Sequence, residues 1–276
     1  MSATVEFFEQ DFIVGQYECD CNGRMKAGAL MAQSQAISTN HCNELGLTID
    51  VYRRTHTVFL LAKASLEIYH DIKVGDKLRV VTRPSGPKRA IYNRYTSFIN
   101  EQGIEVAAQD SKWVLVDTDT RKILRDPPED LDFPFRIQEI PEQDLSIPKV
   151  RDAQQTAVER VTYSRTDDNG HLNNTQYADI ILDNLPFSAT VERRLKKLVI
   201  NYHSEAKMGE ELAILCKELG ESDGIAPGTV GYTSPAGRTT AKSALRRWPA
   251  LNKERIRGGF AFTDFLCGRN WNENRI

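Results

Sequence analysis

The sequence predicts an α+β protein made of two copies of one unit, a long helix followed by an antiparallel sheet, and three observations carry that prediction. A short motif occurs twice: Asp20-Cys21-Asn22-Gly23-Arg24-Met25 returns as Asp167-Asp168-Asn169-Gly170-His171-Leu172, with Arg24 and His171 in the same place. A second landmark follows each copy in the same order. The stretch ending Asp71-Ile72-Lys73-Val74-Gly75-Asp76 matches the stretch ending Glu205-Ala206-Lys207-Met208-Gly209-Glu210, which sets Asp71 on Glu205 and Gly75 on Gly209. After each motif, helical spacing gives way to apolar strand-like segments. Asp-x-Asn-Gly alone is common turn chemistry, but two ordered landmarks in each half of one chain make duplication the better account.

Each element follows from its local pattern. Over residues 26–45, Leu30, Met31, Ser34, Ile37, His41 and Leu45 fall on one helical stripe, and Gly46 supplies the stop. Strands are expected over 59–69, 77–82, 89–99 and 104–116, separated by Gly75-Asp76, Ser85-Gly86-Pro87 and Glu101-Gln102-Gly103. Pro127, Pro128, Pro134, Pro141 and Pro148 then interrupt an acidic stretch without periodicity. The reading is a first unit over 1–135, a Pro-containing linker over 136–150 and a second unit over 151–276. The second unit opens with a strand over 156–163 and a helix capped by Asn173 or Asn174, with Tyr177, Ile180, Ile181 and Leu185 on its apolar side. A strand over 211–219 follows. Beyond about residue 221 the chain is rich in Gly, Ser, Thr, Arg and Pro, so the second unit is expected to become irregular and its sheet to be left short.

Composition narrows the function. A chain of 276 residues with 40% hydrophobic content can fill two cores, and a formal charge of -2 is not that of a general nucleic-acid binder. No apolar run is long enough for a membrane span, and residues 1–12 lack the pattern of a signal peptide, so a cytoplasmic location is expected. Cys19, Cys21, Cys42, Cys216 and Cys267 show no paired spacing and read as reduced thiols; Cys19, Cys21 and His41 lack the further thiols of a tetrahedral site, so no metal is expected. Two basic patches, Arg53-Arg54 with Lys88-Arg89 and Arg193-Arg194 with Lys196-Lys197, are either solvated surface or a landing area for an acidic carrier or a phosphate-bearing cofactor.

Asp167-x-Asn169-x-His171-x-Asn173-Asn174-x-x-Tyr177, followed by Tyr202-x-x-Glu205, resembles the motif set of the plant and bacterial acyl-acyl-carrier-protein thioesterases. Leu30 and Met31, Val74-Gly75-Asp76, the strand Trp113-Val114-Leu115-Val116 and Thr120-Arg121-Lys122 extend the resemblance to residues 10–220 or so. It implies two tandem hot-dog domains, each a long helix wrapped by a curved antiparallel sheet. It implies hydrolysis of the thioester between a fatty acyl chain and the phosphopantetheine of acyl carrier protein, releasing a free fatty acid. It implies an acyl tunnel in the first domain, a catalytic network of Asp167, Asn169, His171 and Glu205 in the second, and no cofactor. Many plant members carry Cys after the Glu, where this chain has Ala206, so no cysteine is assigned a catalytic role.

These residue types suit the reaction. Thioester hydrolysis needs a nucleophile or a base that activates water, a proton carrier and donors for a developing oxyanion. Glu205 is the candidate base, with direct carboxylate attack as an alternative, and His171 can orient water or shuttle a proton. Asp167 can fix the imidazole tautomer, and the Asn169 amide can hold the carbonyl or the water. Asp167 and Asn169 can equally form an Asx turn or helix cap. Acyl-coenzyme A hydrolysis and non-catalytic binding of an acyl thioester are the competing functions. Both a monomer and a homodimer fit tandem units.

Overall fold

A computed structural model of the chain describes residues 5–147, 153–185, 190–191, 193–218, 228–233 and 239–247. In chain order the first unit comprises β1 (Phe8–Ile13), α1 (Ala27–Glu44), α2 (Ile49–Arg54), β2 (Thr57–Ile68), β3 (Lys77–Lys88), β4 (Ile91–Asn100) and β5 (Glu105–Asp117). The second comprises β6 (Gln154–Arg160), α3 (Gln176–Asp183), β7 (Leu195–Tyr202), β8 (Glu211–Glu218), β9 (Gly228–Thr233) and β10 (Thr239–Arg247). The strands form one ten-stranded sheet in the order β1-β3-β4-β5-β2-β7-β10-β9-β8-β6. Read inward from either edge, the order is the same, so the duplication seen in the motifs extends to the topology. The two halves join where β2 pairs antiparallel with β7, from Lys63 opposite Asn201 to Glu67 opposite Lys197.

The helical stripe of α1 is buried as its spacing predicts. Leu30, Met31, Ile37 and His41 face inward, and Gly46, at φ +81°, ends the helix in the left-handed region that glycine tolerates. In α3, Tyr177, Ile180 and Ile181 do the same. One apolar cluster runs through both units, including Leu30, Leu66 and Phe98 from the first and Tyr177, Ile181, Leu198 and Ile200 from the second. Each fully buried large side chain of this kind stabilises the fold by about 1.5–3 kcal/mol before entropy is counted.

The structure departs from the sequence reading in three places. The expected turn at Ser85-Gly86-Pro87 lies inside β3, and the reversal falls at Arg89 and Ala90, both at positive φ. Proline is accommodated because β1 covers β3 only as far as Thr82, leaving Pro84 and Pro87 on a stretch with β4 alone as partner. The segment after β5 is more than a connector. Leu131 and Phe135 are buried, Gly86 N–H donates to the Arg136 carbonyl at 2.8 Å, and the Gln143 side chain donates to the Ala108 carbonyl at 3.1 Å. The second sheet is not left short, because β9 and β10 complete it in the positions that β4 and β5 hold in the first. Their sequences, Gly228 to Thr233 and Thr239 to Arg247, are too rich in Gly, Thr, Ser and Arg to advertise strands, and pairing on both sides overrides weak local preference. The irregularity expected after residue 247 lies outside the described residues.

Candidate active site

The motif loop is an Asx turn. The Asp167 carboxylate accepts the backbone N–H groups of Asn169 at 3.0 Å and His171 at 3.1 Å, and Gly170 at φ +74° lets the chain reverse. Leu172 N–H then donates to the Ala206 carbonyl at 2.8 Å and Met208 N–H to the Gly170 carbonyl at 3.0 Å. These bonds lay the motif loop against the turn after β7 and bring two predicted residues together. His171 Nδ1 stands 3.6 Å from Glu205 Oε1, with the imidazole 17% and the carboxylate 42% exposed. Nδ1 is buried and makes no hydrogen bond among the described residues, so the ring faces a carboxylate at slightly more than bonding distance. Such contacts are often long without substrate and tighten on binding.

The other two predicted residues are placed differently. Asp167 directs its carboxylate to the loop backbone and makes no hydrogen bond to the His171 ring among the described residues. The exposed Asn169 side chain donates to Asp168 at 3.4 Å; the N-cap of α3 is Thr175 rather than Asn173 or Asn174, and the Asn173 side chain holds that residue by accepting its N–H at 3.0 Å and its hydroxyl at 2.9 Å. Behind the site, Tyr177 and Tyr202 pack edge to face at 5.4 Å, and burial pushes both phenols well above their ordinary range. The Tyr202 hydroxyl donates to the Asn174 carbonyl at 3.0 Å, pinning the start of α3.

One neighbour was not singled out as a site residue. Arg121 of the first unit lies 3.9 Å from Glu205 Oε2. It sits at φ 60° in a turn organised by Asp117, whose carboxylate accepts the Thr120 N–H at 2.7 Å, the Thr120 hydroxyl at 2.8 Å and the Asp119 N–H at 3.1 Å. Those bonds, Thr120 first, hold the Asp117 carboxyl below the usual carboxylate range. The signal in the sequence was Asp117-x-Asp119-Thr120, an Asx-type turn at a strand end; its distance from Glu205 in the chain hid its relevance.

An apolar cavity of about 510 Å³ lies in the first unit between α1, α2 and the sheet, with Phe59, Tyr92, Trp113, Phe133 and Phe135 in its wall. Arg94 is buried in the same wall. Its Nη1 donates to His41 Nδ1 and to the Thr82 hydroxyl, each at 3.2 Å, and its guanidinium lies 5.4 Å from the Phe135 ring centroid. Burial lowers its pKa. The basic run over 193–197 is drawn into the junction between units, with Arg194 3.0 Å from Asp71 and Lys197 2.7 Å from Glu67, so these two cations are not an open landing area.

Two units, each with a helix packed on one side of a shared antiparallel sheet, define a tandem hot-dog protein. Family models agree: the acyl-ACP thioesterase N-terminal domain matches residues 5–132 and the C-terminal domain matches residues 149–246. The chain therefore belongs to the acyl-ACP thioesterase family, whose members are thioester hydrolases. It is 25% identical over 248 residues to oleoyl-acyl carrier protein thioesterase 1, chloroplastic, of Arabidopsis thaliana, covering 82% of this chain and 68% of the relative. The corresponding Coriandrum sativum enzyme is 23% identical over 253 residues, covering 83% and 68%. In fold, it resembles the Bacteroides thetaiotaomicron acyl-ACP thioesterase (TM-score 0.78, 23% identity, 90% of this chain and 100% of that chain). It also resembles the Umbellularia californica 12:0-ACP thioesterase (TM-score 0.79, 17% identity, 88% and 94%). No helix among the described residues is long and apolar enough to cross a membrane.

Proposed function

We propose that this chain carries out its family's reaction, hydrolysis of a fatty acyl thioester on acyl carrier protein, at the His171–Glu205 pair. The observation that carries the reading is the 3.6 Å approach of His171 Nδ1 to Glu205 Oε1, in a chain whose first unit holds an apolar cavity. Glu205 takes a proton from water as the oxygen attacks the thioester carbonyl and hands it to His171 Nδ1, the ring gives its Nε2 proton to the departing sulfur, and the other water proton leaves the product acid for solvent. The carbon–sulfur bond breaks, leaving a fatty carboxylate and the carrier's thiol. Arg121 sets a cation against the second Glu205 oxygen. In this reading residues 1–135 hold the acyl chain, residues 136–150 connect, and residues 151–276 supply the catalytic pair, with Asp167 and Asn169 shaping its loop. Free thiols at Cys19, Cys21, Cys42 and Cys216 support action in a reducing compartment such as the cytoplasm.

Release of free thiol from acyl carrier protein and acyl-coenzyme A substrates tests this. Wild type should turn over the carrier-linked substrates preferentially, and Glu205→Ala and His171→Ala should each lose roughly 10²- to 10⁴-fold, the range for a positioned acid or base. Retained turnover in both variants would remove these residues from the chemistry. Preference for coenzyme A would move the substrate to that carrier.

A further inference from the structure

The duplication copied the surroundings of the active site as well as its loop. In the first unit, the Asp20 carboxylate accepts the N–H groups of Asn22 at 2.8 Å and Arg24 at 3.0 Å, and Met25 N–H donates to the Ile72 carbonyl at 2.8 Å. These are the counterparts of the bonds made by Asp167 and Leu172. Arg24 thus stands where His171 stands, and Asp71 where Glu205 stands. Beside them is a cavity of about 560 Å³, walled by this loop, by Leu30 of α1, by Leu182 and Leu185 at the end of α3 and by Val191. Aligning the repeats by their motifs sets Leu182 on Gln35 and Leu185 on Ser38, and both of those residues line the 510 Å³ cavity of the first unit. Part of the two walls thus corresponds through the repeat, although no residue of the Asp167 loop lines the 510 Å³ cavity, and both volumes fall within the roughly 300 to 1,000 Å³ of small-molecule sites.

We propose that the cavity around Arg24 is a second ligand site that holds a long-chain fatty carboxylate without reacting with it. The Arg24 side chain is 17% exposed and lies on the cavity wall, with one hydrogen bond, at 3.5 Å to the Val191 carbonyl, and an ion pair with Asp20 at 4.0 Å. A guanidinium offers five donors in a planar fork that a carboxylate matches bidentately. Met25, Leu30, Leu182, Leu185 and Leu195 give the alkyl chain an apolar path. The acids of the wall are partly engaged: Asp71 pairs with Arg194 at 3.0 Å, and Asp179 accepts the Gly28 N–H at 3.1 Å. The second engagement also bars the start of α1 from a ligand oxyanion; Asp20 and Asp183 line the wall too, and among its cations, Arg24, Lys26, Arg193 and Arg194, Arg24 is taken as the anchor because it stands in the place of His171. Hydrolysis is excluded here by residue type, since arginine neither gives nor takes a proton near neutral pH. The choice of ligand rests on the reading above, in which a fatty carboxylate is the product of the other site.

Calorimetric titration of the full chain with dodecanoate and hexadecanoate, each below its micelle concentration, decides the matter without relying on hydrolysis. Wild type should bind two equivalents. Leu182→Trp, which fills the Arg24 cavity, should bind one, and so should Ser38→Trp, which fills the other. Arg24→Gln, on a surface loop and away from the catalytic pair, should keep thiol release unchanged while weakening one of the two sites roughly tenfold or more. A single equivalent in wild type would overturn the proposal. So would two equivalents of unchanged affinity in both Leu182→Trp and Arg24→Gln. Failure of the catalytic reading would show separately, as absent thiol release from a protein whose binding stoichiometry is intact.

Discussion

At the scale of the residue, the arrangement separates two roles that the sequence presented together. Asp167 binds two backbone N–H groups through one oxygen, so in the proposed reaction it acts through the shape of the loop that carries His171. Asp167→Asn keeps an acceptor in that place and should hold turnover within about tenfold of wild type, whereas Asp167→Ala, losing an Asx-type bond worth roughly 0.5–2 kcal/mol, should lower both stability and turnover. Thermal unfolding and thiol release on the two variants check this; a collapse of turnover in Asp167→Asn with unchanged stability would instead mean direct action on the imidazole. Glu205 and His171 were legible because their chemistry is conspicuous once the repeat is seen. Arg121 was not, because what makes it part of the site is a turn at the end of β5 that meets Glu205 across the two units.

At the scale of the element, the most informative contact lies between α1 and α3. Asp179 of α3 is half-buried and accepts the backbone N–H of Gly28, in the first turn of α1, at 3.1 Å. A Cβ on Gly28 would stand 2.4 Å from Asp179 Oδ2, so Gly28→Ala both breaks the bond and forces overlap, at a cost of about 1–3 kcal/mol. Asp179→Ala in the same chain should recover most of the steric part, a coupling that a double-mutant cycle reads directly. The pH dependence follows from the same burial. Desolvation, only partly opposed by the Gly28 N–H, raises the Asp179 pKa in the folded state. The folded state then binds the proton more tightly than the unfolded one, so this group's contribution to stability is full below the unfolded value of about 4 and is lost as pH rises through the higher folded value. The stability of Asp179→Asn relative to wild type should therefore grow as pH rises from about 4 toward 7, and a flat difference in melting temperature would remove Asp179 as the cause. None of this was visible in the sequence, where Asp179 is an ordinary acid beside an apolar stripe. α1 and α3 were legible from their period, and β2 to β5 from alternation, although the reversal between β3 and β4 fell at Arg89 and Ala90 and α2 was not foreseen. β9 and β10 were not, since their pairing partners rather than their own residues make them strands.

At the scale of the whole molecule, the question is whether two copies of a unit behave as two domains or one. The sheet runs unbroken from β1 to β6, and its central seam pairs β2 with β7 over Lys63 to Glu67. Leu66 in β2 and Leu198 and Ile200 in β7, each almost fully buried, belong to one cluster that also holds residues from both long helices. Across the seam, Glu67 meets Lys197 at 2.7 Å with the side chains 26% and 12% exposed, and Asp71 meets Arg194 at 3.0 Å. Interfaces between independent domains are more polar and leave each partner its own core, whereas here the core is shared. Unfolding should therefore be a single cooperative transition whose calorimetric and van't Hoff enthalpies agree. Lys197→Glu, which sets two carboxylates against each other at a mostly buried seam, should lower the melting temperature of the whole molecule without splitting the transition. Thiol release should fall in step with the folded fraction, since the seam positions the turn that carries Glu205. Two resolved transitions in the wild type, or a first transition in Lys197→Glu that spares one unit, would show that the copies fold apart and that the shared cluster contributes less than its burial implies.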